Sequence, residues 1–410
     1  QMKRRILSAL MALAMVAGLM TGCSAPAAGD NSSSEGTSQA ELAPVSKDEI
    51  KVGFVYIGDE TEAYTANFIA AEKAIKEEYG DKVQTIAKYN VAEDAVEDPL
   101  VELCEAGCKV IFTTSFGYGE KAKELAAQYP DIQFCQATCS DAAQDPDTAN
   151  YHTYMGAIYQ GRYVAGIVAG MKMKELIDAG TITADKAKIG YVAAYPYAEV
   201  ISGYTAFLMG VRSIVPEAKM EVNYTNSWGD YDTEKTMATA MIEDGCVIIS
   251  QHSDTEGPAE ACEDATKKGT TVFHVGYNQS MVDIAPDSSL ISSRQDYAPY
   301  EVGAVKAVMD GTELPVDQWA GFDEGWVAMT ELNEKIAAKG TQEAMDAAIK
   351  DFKDGKLTAK EIYKGDYKGT NPFDKNDTID LTEGFAENST QSAPTFAYVL
   401  DDVITVLSTN

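Results

Sequence analysis

Residues 51–65 read KVGFVYIGDETEAYT, and the fold follows from them. The run 51–57 is apolar on both faces, which suits a strand buried in a parallel sheet better than a hairpin strand with one wet face. Gly58 ends the run, acidic and aromatic residues follow, and helical spacing then begins. Ligands of open α/β folds gather just past the carboxyl ends of such strands. Asp59, Glu60, Glu62, Tyr64 and Thr65 therefore stand where a small molecule would be read.

The same strand-then-helix pattern repeats downstream. Strands are expected at 83–89, 109–115 and 132–137, with helices at 63–79, 99–106 and 119–128 between them. The pattern restarts with a long helix at 159–176. Strands at 188–193, 220–226, 247–251 and 271–275 follow, separated by helices at 201–214, 233–243 and 258–267. Alternation at this pitch is the signature of right-handed parallel units. Two such units predict two doubly wound α/β lobes with a cleft between their strand ends. A composition of 45% apolar residues over this length also exceeds what one core usually holds. The expected division is lobe 1 at 48–155, lobe 2 at 156–276, a return to lobe 1 at 277–318, and completion of lobe 2 with a C-terminal tail at 319–410. The return carries a strand at 290–293 and a helix at 299–309; 331–353 is expected to be helical and charged.

At the other end, Lys3, Arg4 and Arg5 precede an apolar run at 6–20 that closes with Thr21, Gly22 and Cys23. This is the pattern of a secretory signal, residues 1–22, and the run falls short of the ~20 residues a transmembrane helix needs. A cysteine directly after Thr-Gly resembles a bacterial lipobox, which makes Cys23 the acylated first residue of the exported chain. Met20 departs from the leucine usual at the start of that motif, and an ordinary cleaved signal with an incidental cysteine is the alternative. Residues 23–47 hold Ala, Ser, Gly, Asp and Glu with little to bury, the composition of a flexible tether. The expected address is the outer face of the cytoplasmic membrane, with a folded body held there by a lipid anchor.

The chain carries 33 Lys and Arg against 64 Asp and Glu, a net charge of −31. An acidic exported body is poorly suited to nucleic acid or an anionic membrane as partner, and the charge is read as a solvated surface. The spacing of Cys104/Cys108 and of Cys135/Cys139 matches a zinc site or a disulfide. Their positions in expected helix and strands, like those of Cys246 and Cys262, fit small buried hydrophobes better. An enzyme has little material: there is no G-x-S-x-G, H-E-x-x-H or P-loop, and the histidines are His152, His252 and His274. Residues 117–122 read G-x-G-x-x-A ahead of a helix, but they follow the third strand rather than the first and fit a glycine turn. No cofactor is expected.

The ordered blocks VYIGDETEAYT, IFTTSFGYGE, YQGRYVAGIVAGM, IGYVAAYPYAEVISGYTAFLMGVRSIVPEA, NSWGDYDTEK, ISQHSD and HVGYNQSMVDIAPD resemble the basic membrane protein family of ABC-transporter substrate-binding lipoproteins. The resemblance covers about 50–330, with a weaker match at 352–369. Its PnrA-like branch takes up purine nucleosides, and other branches resemble adenine binders. The resemblance implies a type I periplasmic-binding-protein fold with a multi-strand hinge, whose crossovers would fall near Met155, near Gly276 and at 311–319. It also implies capture of a purine base or nucleoside by lobe closure, and delivery by a monomer to an ABC permease and its ATPase.

A purine offers two π faces and an edge of donors and acceptors, so its site needs aromatic walls and a few oriented polar groups. Tyr64 falls where the family places an aromatic that stacks on the base, with Asp59 and Thr65 beside the base edge. Ser115 and Phe116 follow the third strand. In the second lobe Tyr195 and Glu199 end one strand, Trp228 and Asp230 the next, His252 and Asp254 the one after, and Gly276 and Tyr277 the crossover strand. Each has a structural alternative: rim packing for the aromatics, a turn cap for His252 and Asp254, and compensation of a helix dipole for Glu199. The block ISSRQDYAPY lacks the lysine that nucleoside receptors of the family place near the sugar. Arg294, Gln295 or Asp296 takes that region instead, with Gln295 assigned to the ligand. This leaves a free base, or a different small polar ligand, open. Acidic side chains such as Asp59, Glu62, Asp230 and Asp254 suit sugar hydroxyls too, so a receptor of the same fold for a sugar or an autoinducer, or one that signals instead of transporting, is the alternative.

Overall fold

Both faces of the strand at 50–55 are buried, Val52, Phe54 and Val55 completely, and the strand lies in the interior of a parallel sheet. The computed structural model describes residues 49–144, 147–388 and 391–408; the signal, Cys23 and the tether lie outside them. The first lobe runs β1 (Ile50–Val55), α1 (Ala63–Tyr79), β2 (Val83–Lys88), α2 (Glu97–Glu105), β3 (Cys108–Thr113), α3 (Gly119–Gln128), β4 (Gln133–Ala137) and β5 (Tyr151–Gly156). The second continues with α4 (Ile158–Asp178), β6 (Lys188–Ala193), α5 (Ala198–Arg212), β7 (Lys219–Tyr224), α6 (Tyr231–Glu243), β8 (Ile248–His252), α7 (Gly257–Lys267), β9 (Phe273–Tyr277) and β10 (Ser289–Gln295). Then come α8 (Ala298–Asp310), β11 (Asp317–Ala320), β12 (Val327–Met329), α9 (Thr341–Lys353), α10 (Ala359–Ile362), β13 (Lys368–Asn371), β14 (Asp374–Asp380), β15 (Val399–Leu400) and β16 (Ile404–Ser408).

One sheet has the order β11-β5-β4-β3-β1-β2 and is parallel throughout. The other has the order β12-β10-β9-β8-β6-β7-β16, with β12 its antiparallel edge. A small antiparallel sheet, β14-β13-β15, follows from the C-terminal part. This is a two-lobed α/β architecture.

The strand at 289–295 does not return to the first lobe as the sequence reading has it. It pairs in parallel with β9, Ile291 opposite Val275, and Leu290 and Ile291 fill the second lobe's core. The chain therefore crosses at Gly156–Ala157, between Gln295 and Ala298, and between Ala320 and Val327, rather than near Gly276. The helix that follows does return: Tyr297, Tyr300 and Val305 pack with Phe54 and Phe68. Helix α9 begins only at Thr341, after Gly340 with φ +83°, so the first ten residues of the expected helix are irregular. All six described cysteines are buried and unpaired. Burial pushes the Cys104 thiol up to about 12 and the Cys108 thiol to about 11, the behaviour of inert core residues.

Helices α4 and α5 touch backbone to backbone. A Cβ on Gly166 would sit 2.1 Å from the Phe207 carbonyl oxygen, and one on Gly210 would sit 2.1 Å from the Tyr163 carbonyl oxygen. Gly166→Ala forces the helices apart inside a filled core, which costs about 1–3 kcal/mol. Thermal denaturation is expected to give a melting point lower by several degrees; an unchanged melting point would mean that the helices separate freely.

Candidate functional site

A cavity of about 190 Å³ lies between the carboxyl ends of the two sheets. The first lobe contributes Ile57, Gly58, Glu62, Tyr64, Ser115, Phe116 and Thr138; the second contributes Glu199, Trp228, Gly229, His252, Asp254 and Tyr277. The lining therefore comes from the segments that leave β1, β3, β4, β6, β7 and β8, together with the end of β9.

Local chemistry fixes the walls. Glu62 caps α1, where its carboxylate accepts from the Thr65 amide at 3.2 Å and from the Thr65 hydroxyl. The Tyr64 hydroxyl donates to the Thr114 carbonyl and lies 3.2 Å from Thr138 Oγ1, while its ring meets Phe68 edge-on at 5.0 Å. Ser115 Oγ donates to Glu93 Oε1 at 2.5 Å. Trp228 packs edge-on against Tyr195 at 5.1 Å, and the Asp254 amide donates to the Trp228 carbonyl at 2.8 Å, which ties the segment after β7 to the segment after β8. Tyr277 receives a hydrogen bond from Gln295 Nε2 at 3.2 Å, and the guanidinium of the fully buried Arg162 stands 3.5 Å from its ring centre, a cation–π contact in a desolvated place. Arg162 Nη1 also donates to the Gln251 carbonyl at 2.9 Å.

Three carboxyl groups, from Glu62, Glu199 and Asp254, face this one cavity. Burial, then the neighbouring Glu62, Glu234 and Glu199, raise the Asp254 carboxyl well above its ordinary range, and the buried Arg162 opposes them. Burial also raises Glu62 against the pull of its bonds to Thr65. Both shifts favour the protonated acid, which can donate as well as accept. His252 lies 3.4 Å from Glu199 Oε1, yet burial and Arg162 push it down to about 4, so it is neutral at pH 7.

Beside the cavity the lobes touch. Asn67 Nδ2 on α1 donates to Asn278 Oδ1 at 3.0 Å, Gln279 Nε2 donates to Asn67 Oδ1 at 2.7 Å, and the rings of Phe116 and Tyr197 lie 5.8 Å apart.

Nine residues singled out by sequence line the cavity: Glu62, Tyr64, Ser115, Phe116, Glu199, Trp228, His252, Asp254 and Tyr277. Six of those assigned to the ligand do not. Asp59 caps a turn, accepting from the Thr61 amide at 3.0 Å and from Asn90 at 3.2 Å. Thr65 is buried behind Glu62, bonded to it and to the Gly58 amide. Tyr195 stacks on Tyr197 and buttresses Trp228. Asp230 is the N-cap of α6, accepting from the Thr233 amide at 3.1 Å. Gly276 is packed against Ser292, whose Oγ would be 2.4 Å from an added Cβ. Gln295 spans the hinge, its Oε1 accepting from the Gly156 amide at 2.9 Å while its Nε2 holds Tyr277. The sequence reading missed Thr138 and Gly229 at the site and Arg162 behind it. Thr138 sits at φ +56° just past β4, where the strand-end rule already pointed. Arg162 had a signal of its own, an arginine inside a nearly continuous apolar helix.

Two α/β lobes facing each other across a polar and aromatic cleft have the architecture of a solute-binding protein. Residues 60–354 match the family model described as ABC transporter substrate-binding protein PnrA-like, and the chain belongs to that family. It is similar to a purine-binding protein of Brucella abortus, at 34% identity over 83% of this chain and 87% of the relative. It also resembles a Haloferax volcanii protein provisionally described as an ABC transporter glucose-binding protein, at 30% identity over 65% of this chain and 63% of that one. Among solved structures, an ABC transporter solute-binding protein from Aeropyrum pernix superposes with a TM-score of 0.65 at 17% identity, over 75% of this chain and 92% of that one, which shows a shared fold. Binding of a small molecule and partnership with an ABC transporter follow from the family, whose members work outside the cytoplasm.

Proposed function

We propose that the chain captures a purine, and a free base in preference to a nucleoside, and hands it to a membrane permease by lobe closure, held at the outer face of the cytoplasmic membrane through lipid on Cys23. The observation that carries this reading is the pairing of aromatic walls, Tyr64, Phe116 and Trp228, with the carboxyl groups of the half-buried Glu62 and the buried Asp254 in one cavity. The rings suit the faces of a base. Carboxylates accept its N–H groups, and a protonated Asp254 donates to a ring nitrogen. Similarity to a purine-binding protein over most of the chain supports the same ligand class. The region where a sugar would need a cation favours the base: Arg294 is paired with Asp296 at 2.9 Å, Gln295 is committed to Tyr277 and Gly156, and none of the three lines the cavity.

A sugar is the second reading. Three carboxyl groups on one cavity suit hydroxyls, and a relative's description names glucose. A thermal-shift screen decides between them, using protein unfolded and refolded to strip carried-over solute. Ligand at a hundredfold its dissociation constant adds about 2.7 kcal/mol of stability, a rise of several degrees. Adenine, guanine or hypoxanthine is expected to raise the melting point while glucose and other hexoses do not; the reverse pattern would sink the purine reading and leave the fold untouched.

A further inference from the structure

A second hollow, of about 330 Å³, opens beside the first. Phe116, Thr138 and Glu199 border both, so the two are separated only by these three side chains. The inner side of the hollow is Met155 at the hinge; Tyr197 and Pro196 form another side. Its far wall belongs to the C-terminal part of the chain: Phe373, at the turn between β13 and β14, together with Ala393, Pro394 and Ala397.

That wall is built, not incidental. Asn371 Oδ1 accepts from the Phe373 amide and its Nδ2 donates to Asp377, both at 3.0 Å, which sets the hairpin tip. The buried Ser392 pins the next segment to the first lobe: its amide donates to Asp317 Oδ2 at 2.8 Å and its hydroxyl to the Cys139 carbonyl at 3.1 Å. Of the six large apolar side chains exposed among the described residues, three border this hollow: Phe116 at 50%, Tyr197 at 41% and Phe373 at 72%. Single exposed rings are ordinary, but their gathering around one concavity marks a contact surface.

We propose that this hollow is a second subsite of the ligand cavity and takes an alkyl or aryl substituent carried by the ligand. The inference rests on the purine reading, and the ligand class is then a purine bearing such a group. The polar side chains of the hollow are largely spoken for. Asn371 is used at both ends of its amide and Thr138 Oγ1 faces the Tyr64 hydroxyl, which leaves the Glu199 carboxyl, at the border with the first cavity, as the polar group open to a ligand. A hydroxyl-rich extension would find few partners there, whereas carbon would be covered by Met155, Pro394, Ala397 and three rings.

The test is calorimetric titration of the refolded chain with adenine, N6-benzyladenine and 9-benzyladenine, the two positions covering both directions in which a base could point. Wild type is compared with Ala397→Trp, which fills the hollow away from the first cavity, and with Phe373→Ala, at an exposed tip where folding is not at stake. At least one benzyl compound is expected to bind about tenfold tighter than adenine, on the scale of burying a ring. Ala397→Trp is expected to abolish that gain while adenine affinity stays within about twofold, which also reports that the variant is folded; Phe373→Ala is expected to reduce the gain severalfold. If adenine binds and both benzyl compounds bind more weakly, or if the gain survives both variants, the subsite is refuted and the purine reading stands. If no purine binds and a hexose does, both fall together.

Discussion

Asp254→Ala is expected to lower purine affinity by about 10- to 100-fold. A buried polar group of the ligand then loses its partner, a loss of roughly 1–3 kcal/mol. The same residue should shape the pH dependence of the unliganded protein. Burial and the neighbouring Glu62, Glu234 and Glu199 raise its pKa in the folded state, so the folded chain holds this proton more tightly than the unfolded chain does. Stability from that proton is fully present below the ordinary carboxylate range and is lost as pH rises through the folded pKa. Asp254→Asn cannot lose a proton, so its melting point should gain on wild type as pH rises from the ordinary carboxylate range toward neutrality. Parallel melting curves for the two proteins across that range would show that the buried carboxyl is not strained.

Trp228→Ala is expected to weaken purine binding by about 10- to 100-fold, the scale of losing one base–aromatic stack. Tyr64→Ala should act in the same direction, with an added structural cost, because its hydroxyl bonds the Thr114 carbonyl at the end of β3. Cys104→Ala is the control, since that thiol is on the buried face of α2, in a core cluster, and does not line the cavity. Calorimetric titration of all three separates site from scaffold. Equal losses would trace to general destabilisation and withdraw support from the cleft.

The alternation of apolar strands with helices was legible in the middle of each sheet, because β1, β3, β4, β6 and β8 are buried on both faces, and β1, β3 and β6 read as near-continuous apolar runs. α1, α3 and β6 fall at the expected limits. What misled was β10. Its serine-rich sequence, SLISSRQ, does not declare which sheet it joins, and only its register against β9 decides that. At the site, strand-end position was the right guide and side-chain direction the missing quantity. Trp228 and Asp230 are two residues apart, yet one faces the cavity while the other turns back to cap α6. Asp59 and Glu62 divide in the same way, the first taken by the Thr61 turn and the second, from its place at the head of α1, facing the cavity. Periodicity carries no information on that choice, which local hydrogen bonds make.

The three crossings between the sheets also divide the first lobe between distant parts of the chain. The cover of the first lobe's core, Tyr297 and Tyr300 at the start of α8, and its edge strand β11 are encoded after ten other strands. Until they arrive, Phe68 lacks the ring of Tyr297 that stacks on it at 4.0 Å, and Tyr154 lacks that of Tyr300 at 3.8 Å. The N-terminal lobe is thus an incomplete intermediate for most of synthesis, with its long-range contacts formed last. A chain truncated before Tyr297 would therefore leave the core of the first lobe without its cover.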